Sequence, residues 1–455
     1  MTGLGFTGAL TEIEELAARL AATGLSPAAC RSRAELFAQL APVIAVAGEE
    51  SLPPLAFYVP GRIEVLGKHT DYAGGRSMVA AVERGFCFAA IPREDNQLVI
   101  IDAADKDTVV FHIDAEPKPH LSGWANYPLA VVRRLVRNFS GPLYGADIAF
   151  ISDLPPAAGL SSSSALMIGI FLILSTVNDL PARNEYWHNI GSNLDLAGYL
   201  GAMENGQSFG TLDGEEGVGT FGGSEDQVAI LCAEPNRVSQ YAFCPPEFEK
   251  SIPMPPEHVF IIGHSGVAAE KTGPAREKYN AASRLVARLM ELWREATGRQ
   301  DAHLAAALGS APDAAERLIE LAERQPDAEA LLPRLKHFML ESGEIIPAAG
   351  EALAAGDLGD FGRWVARSQL AAERWLGNQT PETVFLVSAA RQLGATAATA
   401  FGAGFGGSVW ALVETTSAQR FMSAWAERYL AAFPQHAATA RFFTTPPGAA
   451  AFRVS

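Results

Sequence analysis

The spacing of apolar residues changes character along this chain. Leu10, Ile13, Leu16 and Leu20 recur at helical intervals, as do Leu36, Phe37, Leu40 and Val43, so residues 8–46 read as two amphipathic helices. From Ala56 the period shortens to that of a strand, and β-like runs follow at 85–92, 98–102, 109–113 and 146–152. Between them, Trp124-Ala-Asn-Tyr127 leads into an amphipathic helix ending near Arg137. Residues 165–174 are almost wholly apolar and open with good helix formers, which predicts a buried helix. Residues 185–204 read as one further helix. Residues 206–223 form a glycine-rich acidic connector, after which 224–231 is expected to resume a strand. The proline-rich stretch 245–256 is the expected domain boundary. Beyond it the pattern predicts a strand at 259–262 and a long helix at 275–297. Alanine-rich helices follow at 302–323, 327–341, 343–355 and 357–375, and an apolar strand ends near Val413.

Three breaks in this pattern carry polar chemistry. At 154–166, two prolines, one glycine and four serines run directly into the buried helix. A helix start leaves N–H groups without intrahelical partners and carries a partial positive charge, so small residues there make a phosphate cradle. No lysine stands in the register of a Walker loop. Taken alone, the stretch is equally an ordinary N-cap in a serine-rich turn. At 60–75, Lys68, His69, Asp71 and Tyr72 cluster between Gly67 and Gly74-Gly75 at a strand end, a place where ligand contacts gather. At 402–407, four glycines precede a strand; alone, that is a bulge or hairpin.

Composition narrows the partners. The chain has 455 residues, is 48% hydrophobic and carries a formal charge of −16, without a lysine or arginine block. It has enough apolar residues for two or three domain cores, and no surface suited to nucleic acid or an anionic membrane. A protein of this charge holds a phosphorylated ligand through local donors and a divalent cation. Cys30, Cys87, Cys232 and Cys244 are widely spaced and form no CxxC pair, so neither a zinc site nor a disulfide framework is expected. The longest apolar stretch, about 165–177, falls short of the ~20 residues that a membrane span needs. The expectation is a reduced, cytoplasmic, soluble protein.

In combination and in this order, the three breaks resemble the motifs of the GHMP kinase superfamily. The first, with its Gly61-Arg62 pair and Gly67-Lys-His-Thr-Asp-Tyr72 core, resembles the galactokinase signature. Runs at 124–127, 223–227, 265–267, 334–337 and 356–363 are similar to galactokinase runs as well, so the resemblance covers roughly residues 35–415.

The resemblance implies ATP as phosphoryl donor and Mg²⁺ as its companion. The loop Gly159, Leu160, Ser161, Ser162, Ser163 and Ser164 would wrap the nucleotide phosphates, with Trp124 and Tyr127 towards the base. Ser163 would supply the hydroxyl nearest Mg²⁺ and Glu204 its carboxylate, a hard-oxygen set that suits the ion. Asp226 would face the acceptor hydroxyl with Arg62 beside it, and His69, Asp71, Gly223 and Tyr279 would hold the sugar. Gly404, Gly406 and Gly407 would support the site by packing.

Two departures bear on the substrate. Galactokinases carry glutamate at the position of Lys68 and asparagine at that of Glu64. Lys68, counted among the substrate-binding residues, exchanges an acceptor-only group for a donor-only one, and so favours an acceptor that carries a carboxylate, such as a uronic acid. The alternative is that Lys68 pairs with an acid and galactose still binds. The connector 206–223 also lengthens the interval between Glu204 and Asp226, and it is expected to act as a flap.

The fold expected is α+β in two domains, 1–250 with a mixed sheet and 251–455 with helices and an antiparallel sheet, and the site in the cleft between them. The function expected is ATP- and Mg-dependent phosphorylation of a monosaccharide at its anomeric hydroxyl. The other readings are a non-catalytic sensor of nucleotide and sugar, and a GHMP kinase with a non-sugar alcohol acceptor. The partners are then a nucleotide and a small sugar, with no nucleic acid and no membrane.

Overall fold

The structure is a computed structural model that describes residues 3–45, 54–114, 121, 123–269 and 274–455. Its strands, in chain order, are β1 Leu55–Leu66, β2 Arg76–Pro92, β3 Gln97–Asp102, β4 Thr108–His112, β5 Ala146–Ser152, β6 Arg237–Ala242, β7 Glu247–Pro253, β8 His258–His264, β9 Ala397–Ala400, β10 Ser408–Glu414, β11 Arg441–Thr445 and β12 Phe452–Arg453. The helices are α1 Ile13–Leu20, α2 Pro27–Ala45, α3 Asn126–Asn138, α4 Ser162–Val177, α5 Asn184–Trp187, α6 Asn193–Asn205, α7 Glu225–Leu231, α8 Pro274–Thr297, α9 Leu304–Leu308, α10 Ala314–Glu323, α11 Ala328–Leu340, α12 Ile346–Ala354, α13 Leu358–Ala371, α14 Pro381–Gln392 and α15 Ala418–Ala432.

The first sheet runs β12-β1-β2-β5-β3-β4, with β6 and β7 added beside the start of β2. Its pairs are antiparallel except β3 with β5, as a mixed sheet requires. The second sheet, β11-β8-β10-β9, is antiparallel throughout. One apolar core joins them: Phe260, Ile262, Trp410 and Leu412 of the second sheet pack with Phe57, Val65, Phe88 and Ile148 of the first. Trp410 is fully buried, and its indole donates to the Val65 carbonyl at 3.2 Å, so the middle of β10 is pinned to β1. The mixed α and β architecture is the one the pattern predicts.

Several boundaries differ. Where a strand was expected over 224–231, Glu225–Leu231 form α7. A run of four apolar residues fits either element; Ser224 followed by two acids is a helix start, and every residue of α7 is buried. The helix expected over 185–204 is broken into α5 and α6, because Ser192 caps a new start by accepting from the Asp195 amide. The 245–256 stretch contains β7, which pairs with β6 in the first sheet. The 206–223 connector is not a free flap. Arg133 donates to the Gly217 carbonyl, Asn138 to that of Asp213, and Asn280 accepts from the Phe221 amide, while Leu212 and Val218 are buried. Among the described residues, no helix is long and apolar enough to cross a membrane, and all four cysteines are free thiols.

Candidate active site

Two adjoining cavities share a wall. The larger, about 630 Å³, is lined by the loop between β5 and α4, by Trp124 and Tyr127 at the start of α3, and by Phe86 and Phe150 of the first sheet. The smaller is lined by Arg62, Glu64, His69, Asp71, Tyr72, Glu204, Gly223, Glu225, Asp226 and Tyr279 among others. Arg62, Gly402 and Ala403 line both.

The loop of the larger cavity is held from behind by its carbonyls. Those of Ala157, Ala158, Gly159 and Leu160 accept from the Ala269 amide, the Ser408 hydroxyl, the Arg62 guanidinium and the Arg62 amide. In a trans peptide the next N–H points the opposite way, so the amides of 158–161 turn from these partners. Ala157, Gly159 and Ser161–Ser163 line the cavity there, and α4 begins at Ser162. An anion placed at this end of α4 meets backbone donors and the positive end of the helix. The glycine-rich third motif is thus the platform behind the loop, as the Ser408 contact to Ala158 makes plain.

Gly61 explains how loop and strand come so close. A Cβ at Gly61 would lie 2.7 Å from the Leu160 carbonyl oxygen and 2.8 Å from a Leu154 methyl. Gly61→Ala is therefore expected to displace the loop and raise the KM for nucleotide about tenfold, with a smaller effect on the acceptor's KM. Steady-state kinetics with each substrate varied in turn would decide it; an unchanged nucleotide KM would defeat the expectation.

In the smaller cavity, successive strand positions on one face of β1 present Arg62 and Glu64, while Ile63 and Val65 enter the core. Arg62 is buried and bonds Asp226 Oδ1 through Nε at 2.9 Å and Nη2 at 2.6 Å. It also lies 3.7 Å from Glu225. Burial pulls the Arg62 pKa down, but the carboxylates of Asp226, Glu225 and Glu64 outweigh it, and the net direction is up. Glu225 is pushed well above the usual carboxylate range by burial and by neighbouring Glu64 and Asp71. Ser77 donates to its Oε2 at 2.5 Å.

Ser164 joins two acids: its hydroxyl lies 2.8 Å from Glu204 Oε2 and 3.2 Å from Asp226 Oδ2. Gln227 donates to the same Glu204 oxygen at 2.6 Å. Ser163, expected to supply the hydroxyl nearest Mg²⁺, is the neighbour of Ser164 on the loop. Ser163 lines the larger cavity while Ser164 reaches the Glu204 carboxylate, because successive residues at a helix start point in different directions.

The loop after β1 is fixed by the second half of the chain. The His69 ring bonds the Ala403 carbonyl through Nε2 at 3.1 Å and the Tyr72 hydroxyl through Nδ1 at 3.0 Å. A carbonyl only accepts, so the proton sits on Nε2. Arg334 of α11 donates to the His69 carbonyl and to the Tyr72 hydroxyl. The Asp71 carboxylate accepts from the Glu225 amide at 3.2 Å, and a Cβ at Gly223 would fall 2.3 Å from Asp71 Oδ2. Tyr279 of α8 completes the wall, its ring 5.5 Å from that of His69.

Lys68 departs from the expectation. It is fully buried, and the residues lining the smaller cavity do not include it. Its ammonium donates to Ser368 and Thr399, and the Ser368 hydroxyl passes on to Glu341. The pairing of β1 with β2 shifts register between Glu64 and Leu66, so the alternation that aims Arg62 and Glu64 does not extend to Lys68. The carboxylate-bearing acceptor thereby loses the residue that argued for it. Sequence reasoning missed Glu64, Glu225 and Gln227 as lining residues, while Tyr72 stands where the polar cluster of the first motif put it; the two acids were legible as neighbours of Arg62 and Asp226.

Comparison with known proteins gives the same frame. Residues 126–204 match the GHMP kinases N terminal domain, 350–431 match GHMP kinases C terminal, and 46–92 match the galactokinase galactose-binding signature. The chain is 29% identical over 397 residues to the galactokinase of Roseiflexus sp. (strain RS-1), covering 86% of this chain and 90% of that one. It is 27% identical over 381 residues to the galactokinase of Actinobacillus pleuropneumoniae, covering 82% and 88%. Its fold is similar to Lactococcus lactis galactokinase complexed with galactose, with a TM-score of 0.72 at 22% identity over 90% of this chain and 98% of that one. Methanococcus jannaschii mevalonate kinase shares it more distantly, with a TM-score of 0.53 at 14% identity over 88% and 99%. The chain thus carries matches to both GHMP kinase domains and to the galactokinase signature, and is a galactokinase-like, ATP-dependent sugar kinase.

Proposed function

We propose that the protein transfers the terminal phosphoryl group of ATP, with Mg²⁺, to the anomeric hydroxyl of galactose or a closely related sugar, giving a sugar 1-phosphate. The observation that carries this reading is the Arg62–Asp226 pair, with Arg62 on the wall common to both cavities. A hydroxyl in the smaller cavity and a phosphoryl group on the loop would meet at that wall. Asp226 accepts the hydrogen bond of the incoming hydroxyl and orients its lone pair. Arg62 holds Asp226 in place and offers positive charge to the transferring group. Phosphoryl transfer asks mainly for such alignment and charge stabilisation, so little further machinery is needed.

The residues fit Mg²⁺. Glu204 is a buried carboxylate beside the Ser164 hydroxyl, a hard-oxygen donor for an ion that keeps several waters and phosphate oxygens. Glu204 and Ser163 would hold it, and when bound it would neutralise charge on the phosphates. Ser164 and Gln227 orient Glu204 for that task.

The galactose assignment draws on the relatives named galactokinase and on the matched signature. The test is ADP release with ATP and Mg²⁺ across a panel of free sugars, followed by product linkage by NMR. Turnover of galactose to a 1-phosphate is expected. Nucleotide binding without turnover of any sugar would overturn the reading in favour of a sensor.

A further inference from the structure

Five carboxylates line the smaller cavity: Glu64, Asp71, Glu204, Glu225 and Asp226. Four of them bond protein donors, as described above. Glu64 differs. It is 4% exposed, and its Oε1 is buried with no hydrogen-bond partner among the described residues. It faces the cavity because it shares the Arg62 face of β1, opposite Val79 of β2. Lys68, four residues on, lies behind the lining with its ammonium on Ser368 and Thr399. A buried carboxyl without a donor is unfavourable, and a ligand that supplies the donor relieves it.

We propose that Glu64 is the specificity-determining residue of the acceptor cavity. Its carboxyl group takes a hydrogen bond from a hydroxyl or amino group of the sugar, at a position other than the oxygen that Asp226 engages. The acidic lining thereby admits neutral and amino sugars and rejects uronic acids. This rests on the sugar-kinase reading of the site.

The electrostatics agree with the geometry. Burial drives the Glu64 pKa up, and Lys68 and Arg62 only partly offset it, which leaves it at about 7. Glu341, which follows α11, and Asp226 of α7 also act on it and raise it further, and Glu225 of α7 and Glu64 repel each other in the same way. Near neutrality the group thus both donates and accepts. A sugar hydroxyl can answer either form, whereas a ligand carboxylate is repelled by the ionised one at short range and low dielectric.

The experiment compares the wild type, Glu64→Gln and Glu64→Ala with galactose, galactosamine and galacturonate. It measures kcat and KM for each sugar, with the nucleotide KM and thermal unfolding recorded alongside. Wild type is expected to prefer galactose to galacturonate by about 100-fold in kcat/KM, and Glu64→Gln to shrink that ratio by about tenfold. Glu64→Ala is expected to raise the galactose KM by about tenfold, with the nucleotide KM within about twofold. A merely structural role would lower the unfolding midpoint and leave the galactose-to-galacturonate ratio alone. An unchanged ratio in both variants, or a wild type that prefers galacturonate, overturns the inference while the kinase reading stands. No turnover of any sugar by a nucleotide-binding wild type overturns both.

Discussion

Asp226→Asn is expected to lower kcat by about 10³-fold while nucleotide and sugar still bind, because removing a positioned base typically costs 10²–10⁴-fold. The amide matches the carboxylate in size, so α7 and the wall of the cavity keep their shape. What changes is the group presented to the hydroxyl. Arg62 holds Oδ1 through two nitrogens and Ser164 reaches Oδ2, so an amide that keeps its oxygen towards Arg62 turns its NH₂ towards Ser164 and the acceptor. A donor then stands where the reaction needs an acceptor. ADP release at saturating substrates measures the effect, with nucleotide affinity as the check on integrity. A kcat within tenfold of wild type would mean that Asp226 only shapes the cavity.

Arg62→Ala is expected to damage both stability and turnover. The guanidinium is buried, pairs with Asp226, lies near Glu225 and holds the Gly159 carbonyl at 2.5 Å. Removing one partner of a buried ion pair costs about 3–5 kcal/mol, because the remaining charge is left without compensation. Urea unfolding should show a loss in that range, and kcat/KM should fall by at least about 10³-fold as loop and acid lose their common anchor. The pH dependence has a definite sign. Glu64 and Glu225 hold their protons more tightly folded than unfolded, so the folded state binds more protons once pH exceeds the unfolded carboxyl value. Stability then falls as pH rises from about 4.5 towards about 7 in the wild type. Without Arg62 both acids rise further, and the deficit should widen between pH 5 and pH 8. A deficit independent of pH would remove the electrostatic explanation and leave a packing one.

Much of the site was legible because glycines and serines interrupt strong apolar patterns where backbone must approach a ligand. Gly61, the serine loop and 402–407 are such interruptions, and the structure brings them together. The direction of single side chains was not legible. Lys68 lies past a register shift, and alternation counted from Arg62 gives the wrong face once a strand slips. Its partners Ser368 and Thr399 are about 300 positions away, on elements whose own patterns say only that they are helix and strand. The strand expected at 224–231 failed for a related reason: four apolar residues carry no period. The helix was indicated instead by Ser224 and the two acids that follow, which form a helix start. Asp226 and Gln227, adjacent on that helix, are thereby able to serve two carboxylate partnerships at once.

The strand that presents Arg62 and Glu64 has its outer edge covered by β12, through the pairs Phe57 with Arg453 and Tyr58 with Phe452. Ser455 donates to the Pro54 carbonyl across 401 positions of sequence. On the ribosome β1 therefore emerges early and waits, one side open, while almost everything between is made. During synthesis its bare edge is a template for other chains. Closing such a distant contact is slow relative to local helix formation. The final strand is in this sense a late seal: the nascent protein depends on whatever shields β1 until 452–455 arrive.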